Sequence, residues 1–100
     1  MLLSKVFKVF EGRINKGSIK NLTINQIIFI RCKTEVITVK IKNIRLFSNF
    51  KDLLSFNDTS LMNTLPYVNS LEEGILLYHS IYKMEHIIQY GTVSIELELI

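Results

Sequence analysis

A period of two runs through the centre of the chain and returns at its end. Ile37, Val39 and Ile41 alternate with Thr38, Lys40 and Lys42, and Val93, Ile95, Leu97 and Leu99 alternate with Ser94, Glu96 and Glu98. Side chains on a strand point to opposite faces in turn, so each run predicts a strand with one apolar face. In the first run the alternation slips at Asn43 and resumes with Ile44 and Leu46. A one-residue slip of this kind is what a β-bulge produces.

Around these two strands the remaining signals fall in order. Residues 6–14 read as a strand, with Val6, Phe7, Val9, Phe10 and Ile14 around polar Lys8, Glu11 and Arg13. Asn15 to Ser18 is a turn signal, and Asn25-Gln26 a second one, because asparagine tolerates left-handed backbone. Ile27 to Cys32 is β-prone, and Lys33-Thr34 forms the expected hairpin tip. The middle turns helical. Ser48 is the expected N-cap of a helix over 49–55, a short helix is expected near 59–65, and Pro66 punctuates the loop. Ser70-Leu71-Glu72-Glu73 reads as a capping box. The helix after it carries Leu71, Ile75, Tyr78 and Tyr82 on one core-facing stripe. Lys83 to Tyr90 continues as helical turns that Gly91 ends. The last strand is expected to be half-buried, with Val93, Ile95, Leu97 and Leu99 inward. Strands, then helices, then a closing strand describe a small α+β barrel.

Length and composition bound the rest. One hundred residues make one domain, able to bury a core without staples. The single cysteine, Cys32, excludes an internal disulfide and a multi-cysteine zinc site, and reads as a small hydrophobe at a strand end. No apolar run is long enough to cross a membrane, and Met1 to Phe10, interrupted by Lys5 and Lys8, lacks a signal-peptide core. A cytoplasmic location is therefore expected, or a nuclear one for a eukaryotic or viral source. Residues 1–51 hold eleven lysines and arginines against Glu11 and Glu35, whereas residues 52–100 hold only Lys83 against seven acids. Such polarity can steer a polyanion to one side of a molecule.

Several short segments recur in a known order. They are Lys8-Val9-Phe10-Glu11-Gly12-Arg13, Thr23-Ile24-Asn25-Gln26-Ile27-Ile28-Phe29, Ser48-Asn49-Phe50-Lys51-Asp52-Leu53, Leu65-Pro66-Tyr67-Val68-Asn69-Ser70-Leu71-Glu72-Glu73-Gly74, Ile81-Tyr82, and Tyr90-Gly91-Thr92-Val93-Ser94-Ile95-Glu96-Leu97. Each is weak alone. In this order, over nearly the whole chain, they resemble the ASCH domain family of PUA-like β-barrels. The resemblance implies a small PUA-like barrel with its helices between the fourth and last strands, and a role in binding RNA or a nucleotide. In the family a further strand and short helix precede the lysine motif. Their lack here implies an incomplete barrel, with an exposed edge through which two copies could pair.

The same motif singles out Lys8, Glu11 and Arg13. Glu11 and Arg13 share a strand face, Arg13 offers planar bidentate binding of phosphate, and Glu11 can accept from a base amino group or hold Arg13. Lys8 could bind phosphate. As catalytic candidates, Lys8 and Glu11 would supply acid–base chemistry for RNA cleavage or nucleoside amide hydrolysis. In the related acetylcytidine amidohydrolases, however, a threonine stands where Glu11 does. Outlying phosphate contacts are expected from Lys40, Lys42 and Arg45, and base stacking from Tyr67, while Tyr78 and Tyr82 read as core. His79 and His86 lack a third metal ligand, and no phosphate-loop, dinucleotide or triad motif is present. No metal or cofactor is expected. The expected partner is RNA or a nucleotide, with a protein-interaction role as the rival reading.

Overall fold

The computed structural model of the chain describes residues 9–100. Lys8 and the start of the expected first strand lie outside the described residues, as does the side chain of Cys32. Both alternating runs are strands. The first becomes β3, Glu35–Phe47, and the second the last strand, β4, Thr92–Leu99, paired antiparallel with it. The hairpin partner β2, Ile27–Cys32, reaches β3 through Lys33-Thr34, where Lys33 takes the left-handed backbone (φ 55°) that closes so short a connection. A first strand, β1, Phe10–Ile14, pairs with the other edge of β4. The sheet order is β1-β4-β3-β2, all antiparallel.

The slip in the sequence is a bulge. Ile41 pairs with Leu97 and Asn43 with Glu96, so Lys42 is the extra residue, and Ile44 and Leu46 return to the face of Ile41. Bulges bend and twist a strand, and this four-stranded sheet is curled into a half-barrel. Its inner face is aliphatic. Ile37, Val39, Ile41, Val93, Ile95 and Leu97 form one buried cluster, closed over by Ile19 and Leu22 from a 3-10 turn at Gly17–Asn21 and its exit. The turn at Asn25 (φ 74°) pins this cover, its amide donating to the Ile41 carbonyl at 2.7 Å.

The helices pack on the outer face. They are α1 (Phe50–Leu54), α2 (Ser60–Thr64), α3 (Leu71–Ile81) and α4 (Met84–Tyr90). Together they bury Phe50, Leu53, Leu54, Leu65, Tyr78 and Ile87 against Ile14 and Phe47 of the sheet. The Thr92 hydroxyl donates to the Asn49 carbonyl at 2.9 Å and so ties the entry of α1 to β4. Gly91 ends α4 with φ 71° and donates to the Ile87 carbonyl.

Five expectations change. Among the described residues there are four strands, and the helices stand between the third and the last. β4 is central rather than half-buried, because helices cover Thr92 and Ser94 while the aliphatic cluster covers Val93, Ile95 and Leu97. Leu99, at the last pair of the β3–β4 ladder, is 47% exposed. The cap of α1 is Asn49, whose Oδ1 accepts the Asp52 amide at 2.8 Å, one residue after Ser48. Ser70 does cap α3 by accepting the Glu73 amide, but the Glu73 carboxylate accepts from the Asn69 amide, one residue before the cap.

Candidate functional site

Among the described residues β1 is an edge strand, and it brings the motif residues beside the helix layer. Glu11 lies in register with Ile95 and Arg13 with Val93, which puts both on one face, two residues apart. The Arg13 Nε donates to a Glu11 carboxylate oxygen at 2.8 Å. Their side chains are 50% and 24% exposed, respectively, so the pair sits at the surface with the carboxylate the deeper partner. That hydrogen bond is the main reason the Arg13 guanidinium is held above its ordinary range, with the Glu11 charge and the nearby Tyr82 and Tyr78 adding to it against partial burial. Among the described residues no other group bonds Arg13. Its terminal amino groups keep the fork that suits a phosphate.

Gly12, between them, points to the opposite face, toward α3. A Cβ there would stand 2.5 Å from the Tyr78 hydroxyl and 3.3 Å from a Leu53 methyl, so only glycine lets β1 approach this closely. Tyr78 is buried, 5% exposed, and stacks on Phe50 with ring centroids 4.0 Å apart and planes within 5°. Tyr82, half-buried, continues the stack on Phe50 at 5.7 Å. Burial pushes the Tyr78 phenol up, and Glu11, Tyr67 and Tyr82 push it further while Arg13 opposes them. Glu11 and Arg13 thus lie within electrostatic reach of the Tyr78 phenol. Tyr67, in the loop after Pro66, is 69% exposed. Of the expected trio, Glu11 and Arg13 are brought together, while Lys8 lies outside the described residues. Tyr78 is core, as its helical spacing implies. Tyr82 is also in the stack but lies near Arg13, which spacing alone does not reveal.

The basic ribbon is elsewhere. Lys40 pairs in register with Glu98 and Arg45 with Ser94, which places them on the outer face, opposite Glu11 and Arg13. Arg45 is anchored. It donates to Glu96 at 2.8 Å and lies over the rings of Phe10 and Phe56. Lys42 and Lys40 make looser pairs, each 3.7 Å, with Glu96 and Glu98. The two halves of the chain that differ so strongly in charge meet here, where acids of β4 partly neutralise cations of β3.

No protein-family model and no curated protein matches the chain. Two solved structures do. The crystal structure of hypothetical protein PH0355 superposes with a TM-score of 0.84 at 34% identity, over 99% of this chain and 88% of that one. The solution structure of protein PF0455 from Pyrococcus furiosus gives 0.80 at 31% identity, over 99% and 86%. The chain belongs to the family of these two proteins. The PH0355 family thus shares the curled four-stranded sheet with its helix layer. Among the described residues no cluster of three or more histidine, cysteine or acidic side chains could hold a metal ion, and His86 packs edge-on against Tyr90 instead. No described helix is long and apolar enough to cross a membrane.

Proposed function

We propose that this member of the PH0355 family is an ASCH-type, PUA-like module that holds single-stranded RNA or a single nucleotide at the β1 edge. One observation carries the reading. A surface arginine on β1, oriented by a carboxylate two residues away, stands where the strand closely approaches the Phe50–Tyr78 stack. Arg13 would take a phosphate by its terminal fork, and Tyr67 would stack on an unpaired base. Glu11 would read a base amino group or keep Arg13 aligned. RNA recognition favours this combination, because single-stranded bases are splayed and can be stacked. The approach of β1 to the aromatic stack, which Gly12 permits, gives these side chains a rigid backing. The order of sequence segments that resembles the ASCH family supports the same reading.

Amide chemical-shift mapping tests it. Addition of a short oligouridine should move resonances of residues 10–14 and of the loop at 66–69, and Arg13→Ala should abolish those shifts while leaving the spectrum folded. If the oligonucleotide moves neither segment, the Glu11–Arg13 pair is structural and the domain binds something other than RNA at this edge. RNA cleavage or acetylcytidine hydrolysis under the same conditions would instead assign the edge to catalysis.

A further inference from the structure

The helices cover only one end of the outer sheet face. At the other end, register places Ile27, Phe29 and Arg31 of β2 beside Lys40, Thr38 and Val36 of β3, with Glu98 of β4 next to Lys40. No described element packs on this part of the face. Ile27 and Val36 are exposed, and the Phe29 ring is 72% exposed, although a strand with a dry face could have placed it inward. Lys42 and Arg45 reach the same face through their pairs with Glu96. It therefore carries four cations, Arg31, Lys40, Lys42 and Arg45, against two carboxylates, Glu96 and Glu98. Arg31 has no ion-pair partner among the described residues. The 3.7 Å pairs of Lys40 and Lys42 are surface pairs, weak enough for a phosphate to take over.

Charge decides what fits such a face. A second copy would set a positive surface against a positive surface. A polyanion with aromatic bases matches both elements at once, since bases stack on an aromatic ring whatever their sequence. Same-face neighbours on one strand, such as Phe29 and Arg31, lie about 6.6 Å apart, so ring and guanidinium can engage one nucleotide or two adjacent ones. We infer that this face is a second nucleic-acid contact, where a single strand stacks a base on Phe29 and lays its phosphates along Arg31, Lys40 and Lys42. The inference stands apart from the β1-edge reading, because it uses the opposite sheet face and needs neither Glu11 nor Arg13.

Photo-crosslinking with a 4-thiouridine oligomer, and with its 4-thiothymidine DNA counterpart, tests it in the full chain. Crosslinked peptides should include residues around Phe29. Phe29→Ala should weaken binding of the oligomer roughly tenfold with an unchanged thermal midpoint, and Phe29→Tyr should restore it. Binding lost in Arg13→Ala but untouched in Phe29→Ala, with no crosslink at β2, would overturn this inference alone. Binding lost in Phe29→Ala but untouched in Arg13→Ala would support it and overturn the β1-edge reading. No binding by the parent would overturn both. A dimer in sedimentation that Phe29→Ala converts to a monomer, without change in RNA binding, would assign the face to a second copy and overturn the inference.

Discussion

The two sides of β4 are built from different materials. Its inner side, Val93, Ile95 and Leu97, is aliphatic and closed by aliphatic neighbours. Its outer side runs from Thr92 and Ser94, buried beneath helices that contribute Phe50 and Tyr78, to Glu96 and Glu98, which hold cations at the surface. The inner side is generic: apolar volume packed dry stabilises a fold and reads no ligand. The outer side carries aromatic rings, hydroxyls and charges whose positions matter individually. At β1 the sheet ends and the two sides meet, so Glu11 and Arg13, in register with the aliphatic face, also lie near the aromatic stack.

The largest effect is expected on the inner side. Ile95→Asp should destabilise the protein by about 3 kcal/mol or more, enough to unfold much of it, because an unpaired charge would enter a dry cluster. Leu99→Asp, at the exposed end of the same strand face, should change the thermal midpoint little. Equal midpoints for the two variants would remove the distinction between the buried and open parts of this face.

On the outer side the effects should be smaller and tied to particular contacts. Gly12→Ala should cost about 1–3 kcal/mol in chemical denaturation, because the new methyl meets the Tyr78 hydroxyl. The cost should shrink in a Tyr78→Phe background, which removes the nearest atom and leaves the ring carbon at 3.1 Å and the Leu53 methyl at 3.3 Å. An unchanged cost in that background would show that the strand, not the phenol, sets the limit.

A smaller, pH-dependent effect belongs to the same phenol. Burial, then Glu11, Tyr67 and Tyr82, raise the pKa of Tyr78 above its ordinary value. Below pH about 10 the phenol is protonated in both folded and unfolded chains. Above it the unfolded chain releases this proton first, so stability should fall as pH rises further. Denaturation at pH about 9 and about 11 should show a steeper loss for the parent than for Tyr78→Phe, the reference value near 10 lying between them. Parallel losses would mean that Tyr78 ionises as easily folded as unfolded.

Much of this architecture was legible because it is local. The bulge at Lys42 is visible as a slip of one residue, the left-handed turn at Asn25 as an asparagine between two strands, and the stop at Gly91 as a glycine after a helix. What escaped depends on pairing. Alternation cannot distinguish a strand with one wet face from a central strand whose wet-looking face holds Thr92 and Ser94 under helices, since both residues are small enough to bury. Neighbouring Ser48 and Asn49 are both competent caps, and only the path of the chain chooses between them. The motif residues and Tyr67 are legible as candidates, and the pairing of Glu11 with Arg13 follows from their shared strand face. Their separation from Lys40, Lys42 and Arg45 was not legible, because the face that each strand presents follows from a register involving residues fifty positions apart. The exposure of Phe29 is not legible for the same reason, because a β-prone run does not tell which of its faces is covered.

The central claim is that the β1 edge binds single-stranded RNA through Arg13. Fluorescence anisotropy of a labelled oligouridine, titrated with parent, Arg13→Ala, Lys40→Ala and Glu11→Lys at about 50 and 200 mM salt, tests it directly, because phosphate contacts release counterions in proportion to their number. The parent should bind at low salt and weaken steeply at high salt. Arg13→Ala should lose more affinity than Lys40→Ala, since a fork held in place by a carboxylate offers a bidentate contact and a rim lysine does not. Glu11→Lys should bind more tightly and with less preference among bases. A parent that fails to bind at low salt, or an Arg13→Ala variant that binds like the parent, would contradict the claim.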